Sequence, residues 1–228
     1  MFVHPLYYVF AFLSVLTGHF KAFSFLTMLI LIHEFGHIIM GVLFHWKIKR
    51  IVILPFGGMT EFNELLNTPI YQEFFILTMG PIFQIVFSFI VPNPYHMPLL
   101  LFNLLPIVPL DGSKLVFLFW NKIGTYYNSY KVLFVFSYIS IFILLHFVRN
   151  LLFVIFASFL LWKSIIMINN LPLIFEIFLF ERYKYYFSFK KKKRINKCRQ
   201  MKRDYEHLIY KDGNYLEEKT FLAKLFDK

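Results

Sequence analysis

The chain has 228 residues, 58% hydrophobic and 16% charged, with 32 Phe and a mean hydropathy of +0.60. Soluble domains are about 45–50% apolar and about 25% charged, so a soluble enzyme and a disordered chain are excluded, and the single Cys198 excludes a disulfide scaffold or Cys-cluster metal site. The net charge of +11 sits at one end: residues 1–180 carry nine Lys/Arg and six Asp/Glu, residues 181–228 fifteen and seven, which marks a positive-inside membrane anchor and not a nucleic-acid partner.

A spanning helix needs about 20 apolar residues. Six runs qualify, near 5–20, 22–45, 74–92, 97–119, 131–148 and 150–168, and they predict an all-α polytopic membrane protein of about six transmembrane helices without a cleavable signal peptide. The first run is short, between His4-Pro5 and Gly18-His19. The second carries His33-Glu34-Phe35-Gly36-His37 in mid-helix. Residues four apart share a helix face about 6 Å along the axis, so His33 and His37 can converge on one Zn²⁺ while Glu34 reaches the attacking water. The alternative is a polar cluster joining two helices. An ionisable group at this depth costs about 2.5–3.5 kcal/mol, which favours a functional reading. His37 is ten residues from Lys47 at the inner boundary, about 15 Å, near the middle of a core about 30 Å thick.

In the loop that follows, Arg50–Leu54 reads as a short strand ended by a Gly57-Gly58 turn. It either pairs with an extended substrate by strand addition or anchors the loop as an interfacial hairpin. Glu61 and Glu64 read as solvated loop charges, and His19, His45 and His96 as groups near membrane ends. The third and fourth runs contain Gly80-Pro81 and then Pro106, Pro109 and Gly112, breaks tolerated in a bilayer only where neighbours or a water-filled cavity satisfy the backbone. Asp111, between Pro109 and Gly112, is either a third zinc ligand or a helix N-cap. Lys47, Lys49, Arg50, Lys122 and Lys131 fall in inner loops and Lys21 and Arg149 in outer ones, which predicts both ends in the cytosol. Lys190–Arg194 can meet anionic headgroups of the lipid bilayer.

His33-Glu34-Phe35-Gly36-His37, Leu54-Pro55-Phe56-Gly57-Gly58, Gly80-Pro81 and Asn103…Pro109-Leu110-Asp111-Gly112 resemble, in order, the site-2 protease family of intramembrane zinc metalloproteases. The resemblance covers residues 4 to about 120. It implies one Zn²⁺ per chain on His33, His37 and Asp111, with Glu34 as catalytic base. It also implies substrate binding by Asn103, Pro109, Phe56, Gly57 and Gly58. Residues 1–180 would form the membrane-embedded protease domain. Residues 181–228 would be a basic cytosolic tail, in which Lys202–Lys228 resembles the second half of a CBS domain. The substrate implied is a membrane-associated pro-protein, a pro-sigma-K-like factor of a sporulating bacterium. Inhibitory membrane proteins and further copies of the chain are implied as partners, in the mother-cell-derived membrane around the forespore. Two other readings compete. A metal-ion transporter could use the same three side chains, but would need polar groups along a path and often repeated halves. An inactive scaffold would have no use for Glu34.

Overall fold

The computed structural model describes all residues except Met1, Pro55, Phe56, 148–150, Ser188, Lys190, Asp212 and Lys228. It is mostly helical and divides into two compact units, Met1–Glu64 with Tyr71–Asn103, and Leu65–Ile70 with Leu104–Lys228.

In the first unit, α1 (Pro5–Leu16) starts at His4, whose Nδ1 accepts the Leu6 N–H at 3.3 Å, with Pro5 in the first turn where no donor is missed. It ends where Gly18 takes φ +71°, a left-handed conformation that glycine enters without strain. With 12 residues it is about 18 Å long, too short to span alone. α2 (Phe20–Leu43) has 24 residues and a length of about 36 Å. α3 (Ile70–Ile90) and α4 (His96–Asn103) follow the loop. Leu29, Ile30 and Leu99 form a buried cluster with Phe25 and Phe87 against it, joining α2, α3 and α4.

The expectation of an all-α fold is corrected by two three-stranded sheets. In the first unit, β1 (Phe2–Val3), β2 (Ile48–Leu54) and β3 (Gly57–Phe62) lie in that order. β-Branched residues at 48 and 51–53 favour the pleated surface. β1 runs parallel to β2 at Val52 and Ile53, and β2 pairs antiparallel with β3. The strand read at Arg50–Leu54 is therefore the middle one, and a chain added beside the hairpin would use the outer edge of β3. Glu61 is not a solvated loop charge: it accepts two bonds from Arg50, at 2.7 and 2.8 Å, across the hairpin.

The second unit holds α5 (Asp111–Ile123), α6 (Tyr126–Phe147), α7 (Leu151–Asn169) and α8 (Leu171–Lys184), then β4 (Lys191–Ile195), β5 (Tyr205–Lys211), β6 (Asn214–Glu217) and α9 (Glu218–Phe226). The run 97–119 is not one helix. α4 stops at Asn103 and α5 starts at Asp111, because Pro106 and Pro109 lack the N–H that would continue the ladder. Between them Ile107 packs with Ile141, Ala157 and Leu160, and the Val108 N–H donates to Ser137 Oγ at 3.0 Å. β4 is parallel to β5 and β6 antiparallel to it. Among the described residues, Phe20–Leu43, Ile70–Ile90 and Tyr126–His146 are long and apolar enough to cross a membrane. The pair Ala157–Asn169 and Leu171–Lys184, bent by 48°, makes a fourth candidate if it is one span.

Candidate metal centre

α2 carries His33, Glu34 and His37, all buried. The Nε2 atoms of the two imidazoles lie 3.1 Å apart. Their other nitrogens are committed to α3. His37 Nδ1 lies 2.7 Å from the Ile76 carbonyl, which can only accept, so Nδ1 carries the proton. His33 Nδ1 lies 3.1 Å from Gln84 Oε1. The Gln84 amide is oriented by donating its NH₂ to the His96 carbonyl at 2.9 Å, so His33 also donates from Nδ1. With Nδ1 committed on each ring, both Nε2 atoms face the same point. Outer acceptors of this kind hold the tautomer and orientation of ligand histidines.

Two glycines make the arrangement possible. A Cβ on Gly80 would stand under 3.0 Å from Nε2 of both histidines, and one on Gly36 under 3.0 Å from the Met79 carbonyl and Gly80 Cα. α2 and α3 thus touch backbone to backbone beside the imidazoles, as small residues permit between membrane helices. Gly80-Pro81 is not the expected break: α3 continues through Pro81, at the cost of the one bond its nitrogen cannot donate.

Glu34 lies under the hairpin. Its Oε2 accepts Thr60 Oγ1–H at 2.6 Å, and a Cβ on Gly58 would stand under 3.0 Å from its Cγ, Cδ and Oε1. A Cβ on Gly57 would lie 4.0 Å from Asn103 Oδ1. The structure therefore gathers Gly57, Gly58 and Asn103 with Glu34 in the first unit. Phe56 lies outside the described residues, as do Arg149 and Lys190.

In the second unit Pro109 follows a cis peptide bond from Val108. Asp111 is the first residue of α5 rather than its N-cap, which is Leu110 with no side-chain cap bond. It accepts from Lys114 Nζ at 3.3 Å, and a carboxylate in the first turn is favoured by the helix dipole. A Cβ on Gly112 would collide with the Leu104 and Leu105 carbonyls, which holds the start of α5 close to the turn before it. His33 and His37 in the first unit, and Asp111 in the second, each offer one ligand atom to a metal ion. Imidazole nitrogen and carboxylate oxygen are donors that suit Zn²⁺.

Thr60, Gln84, the Ile76 carbonyl and Gly36 were not singled out in the sequence. Gln84 had a signal, an amide four residues beyond Gly80 in an apolar run. His96, near the end of a run, is a structural histidine: it is buried, its Nε2 2.8 Å from the Val91 carbonyl, its ring near Phe25 and Phe87.

Residues 21–92 match the model of Peptidase family M50. The chain is 40% identical over 136 residues to Stage IV sporulation protein FB of Bacillus subtilis (strain 168), covering 53% of this chain and 47% of that protein. It is 27% identical over 126 residues to a zinc metalloprotease of Methanocaldococcus jannaschii, covering 48% and 37%. The chain thus spans less than half the length of these curated relatives. The structure superposes on the Site-2 Protease from Methanocaldococcus jannaschii with a TM-score of 0.56 at 22% identity, over 71% of this chain and 87% of that one, which shows a shared fold.

Proposed function

From the premise that the chain carries a peptidase family M50 domain, that of the site-2 proteases, we propose that it is an intramembrane zinc endopeptidase. Its substrate is a membrane-associated pro-protein, a pro-sigma factor of the pro-sigma-K kind, cleaved during sporulation. The observation that carries the reading is the convergence of the His33 and His37 Nε2 atoms at 3.1 Å with both Nδ1 atoms already engaged. Asp111 is proposed as the third ligand of a single ion. When bound, Zn²⁺ would act as a Lewis acid and lower the pKa of a water to about 7.

The rest is work for side chains. Glu34 takes the proton of the attacking water and passes it to the nitrogen of the leaving amine. Thr60 occupies Oε2, which leaves Oε1 as the atom that moves the proton. Gly57 and Gly58, bare of side chains, let an extended backbone approach Glu34. Asn103 orients that backbone by its amide, and Phe56 and Pro109 complete the substrate contacts. A substrate helix must unwind first, because its peptide bonds are hidden in hydrogen bonds, and the outer edge of β3 offers the unwound segment a partner.

We further assign residues 1–180 to the membrane-embedded protease and 181–228 to a cytosolic segment with CBS-like character. Both termini face the cytosol of the mother cell, and the protein sits in the membrane that surrounds the forespore. Inhibitory membrane proteins and a second copy of the chain are its proposed partners. The test is co-expression with candidate pro-sigma factors, followed by their size on a gel. A shortened product with the wild type and none with Glu34→Gln is expected. Intact pro-forms in every case would remove the pro-sigma assignment.

A further inference from the structure

Arg182, in the last turn of α8, is 2% exposed. A guanidinium out of water needs partners along its fork, and here each of its three nitrogens donates. Nε donates to Asn67 Oδ1 at 2.7 Å, Nη1 to Glu218 Oε1 at 2.8 Å and the Tyr205 carbonyl at 2.9 Å, and Nη2 to the Lys202 carbonyl at 3.0 Å. One side chain thereby ties three stretches of the second unit: α8, the connection Leu65–Ile70, and the C-terminal sheet with α9. The connection is held from both sides. Glu181 accepts the N–H groups of Leu66 and Asn67 at 3.0 and 3.2 Å. Arg203 donates to the Thr68 carbonyl and hydroxyl, each at 2.8 Å. Asp204 is bonded to the backbone of Ile70, the first residue of α3.

Glu218 serves a second partner. Its Oε2 accepts both the backbone N–H and the Nδ1–H of His207, at 2.9 and 2.8 Å. The other ring nitrogen, Nε2, accepts the Lys202 N–H at 3.0 Å. His207 is fully buried, and with one nitrogen donating and the other accepting only the neutral ring fits. A second ring proton would set two N–H groups against each other and disturb Lys202, whose carbonyl holds Arg182. The charged groups that act on the ring are Arg182 of α8, Glu218 of α9 and Lys193 of β4, which is registered opposite His207.

We propose that Arg182 is a positioning residue which ties the C-terminal segment to the connection that leads into α3, and that the tie holds only while His207 is neutral. α3 supplies the Ile76 carbonyl and Gln84 amide that aim both imidazoles, so slack at its entry loosens their aim. This link rests on the reading of His33 and His37 as the reaction centre. Burial lowers the His207 pKa below its ordinary 6.5, with Glu218 opposing and Arg182 and Lys193 assisting. A depressed pKa means that the unfolded chain binds the proton more readily, so the tie is complete above about pH 6.5 and is lost as pH falls through the folded value. Burial also raises the Asp204 carboxyl, and a His207 variant separates the two groups.

Hydrogen exchange of the full chain in lipid nanodiscs, read as protection factors over residues 65–76, tests this without needing a substrate. Wild type should lose about tenfold of its protection between about pH 7.5 and about pH 5.5, because opening returns His207 to its ordinary 6.5 and the opened form then takes up the proton. His207→Gln keeps one donor and one acceptor and does not titrate, so it should stay protected at both. Asn67→Ala should lose protection over 65–70 at both pH values while β4–α9 stay protected, and its kcat on a cleavable substrate should fall with KM unchanged. Equal wild-type protection at the two pH values, or the same acid loss in His207→Gln, overturns the proposal. An unchanged kcat in Asn67→Ala removes the positioning role. Absence of cleavage by wild type with the exchange pattern intact would count against the peptidase reading alone.

Discussion

Glu34, bonded to Thr60, and Gln84, bonded to His33, are assigned opposite kinds of work. Glu34→Gln keeps the shape of the side chain and both imidazoles but removes the base. Cleavage should drop by about 10²–10⁴-fold while bound zinc, measured by elemental analysis, stays at one per chain. A transporter would keep its flux in this variant and a scaffold its binding, so full proteolysis by Glu34→Gln would falsify the mechanism. Gln84→Leu removes the acceptor of His33 Nδ1 and touches no reacting atom. Metal retention against a chelator should fall about 10–100-fold, the usual weight of an outer partner. His33 and His37 were legible in the sequence because four-residue spacing on a helix is a local rule. Gln84 and Thr60 were not, because their roles depend on where α3 crosses α2 and on which face of β3 lies over Glu34.

Two glycine contacts, between elements, predict contrasting failures. At Gly80 an added methyl meets Nε2 of both histidines, and at Gly58 it meets the Glu34 carboxylate. Gly80→Ala should therefore lose zinc and activity together. Gly58→Ala should lose activity with zinc retained, since its methyl is aimed at the Glu34 carboxylate rather than at an imidazole. Zinc retained by Gly80→Ala would show that α3 can yield there. Pro81 and the prolines at 106 and 109 show the limit of element reading. All three look alike in the sequence, yet α3 absorbs one missing donor while the run at 97–119 divides. In the second case the turn is held by tertiary contacts, Ile107 in a buried cluster and Val108 bonded to Ser137, which no local pattern announces.

For the whole molecule the strongest sequence signal is the distribution of Lys and Arg. Single-cysteine labelling in a Cys198→Ser background should place position 49 in the cytosol and position 21 on the far side. The reverse pattern would rule out a cytosolic substrate segment reaching the hairpin. The apolar runs showed that the chain belongs in a bilayer, but run length alone overstated the number of straight spans. α1 is closed off by His4 and Gly18, and α7 and α8 meet at a 48° bend. The C-terminal sheet was the least legible part. Its first strand is a run of basic residues ended by Ile195, and its interior combines Ile195, Met201, Ile209 and Leu222 with the buried Arg182, Glu218 and His207, which a charge count reads as solvated.

The two histidines are unequal before mutation. His37 leans on the Ile76 carbonyl, an atom carried by every amino acid at that position, so no codon change can delete it. His33 leans on a side chain, and any nucleotide change that replaces Gln84 alters its support. Heritable adjustment of metal affinity, upward with a carboxylate or downward with an aliphatic group, is thereby channelled through residue 84. Lineages adapting to scarce or abundant zinc should vary at that site first, while position 76 drifts freely among residues of similar bulk.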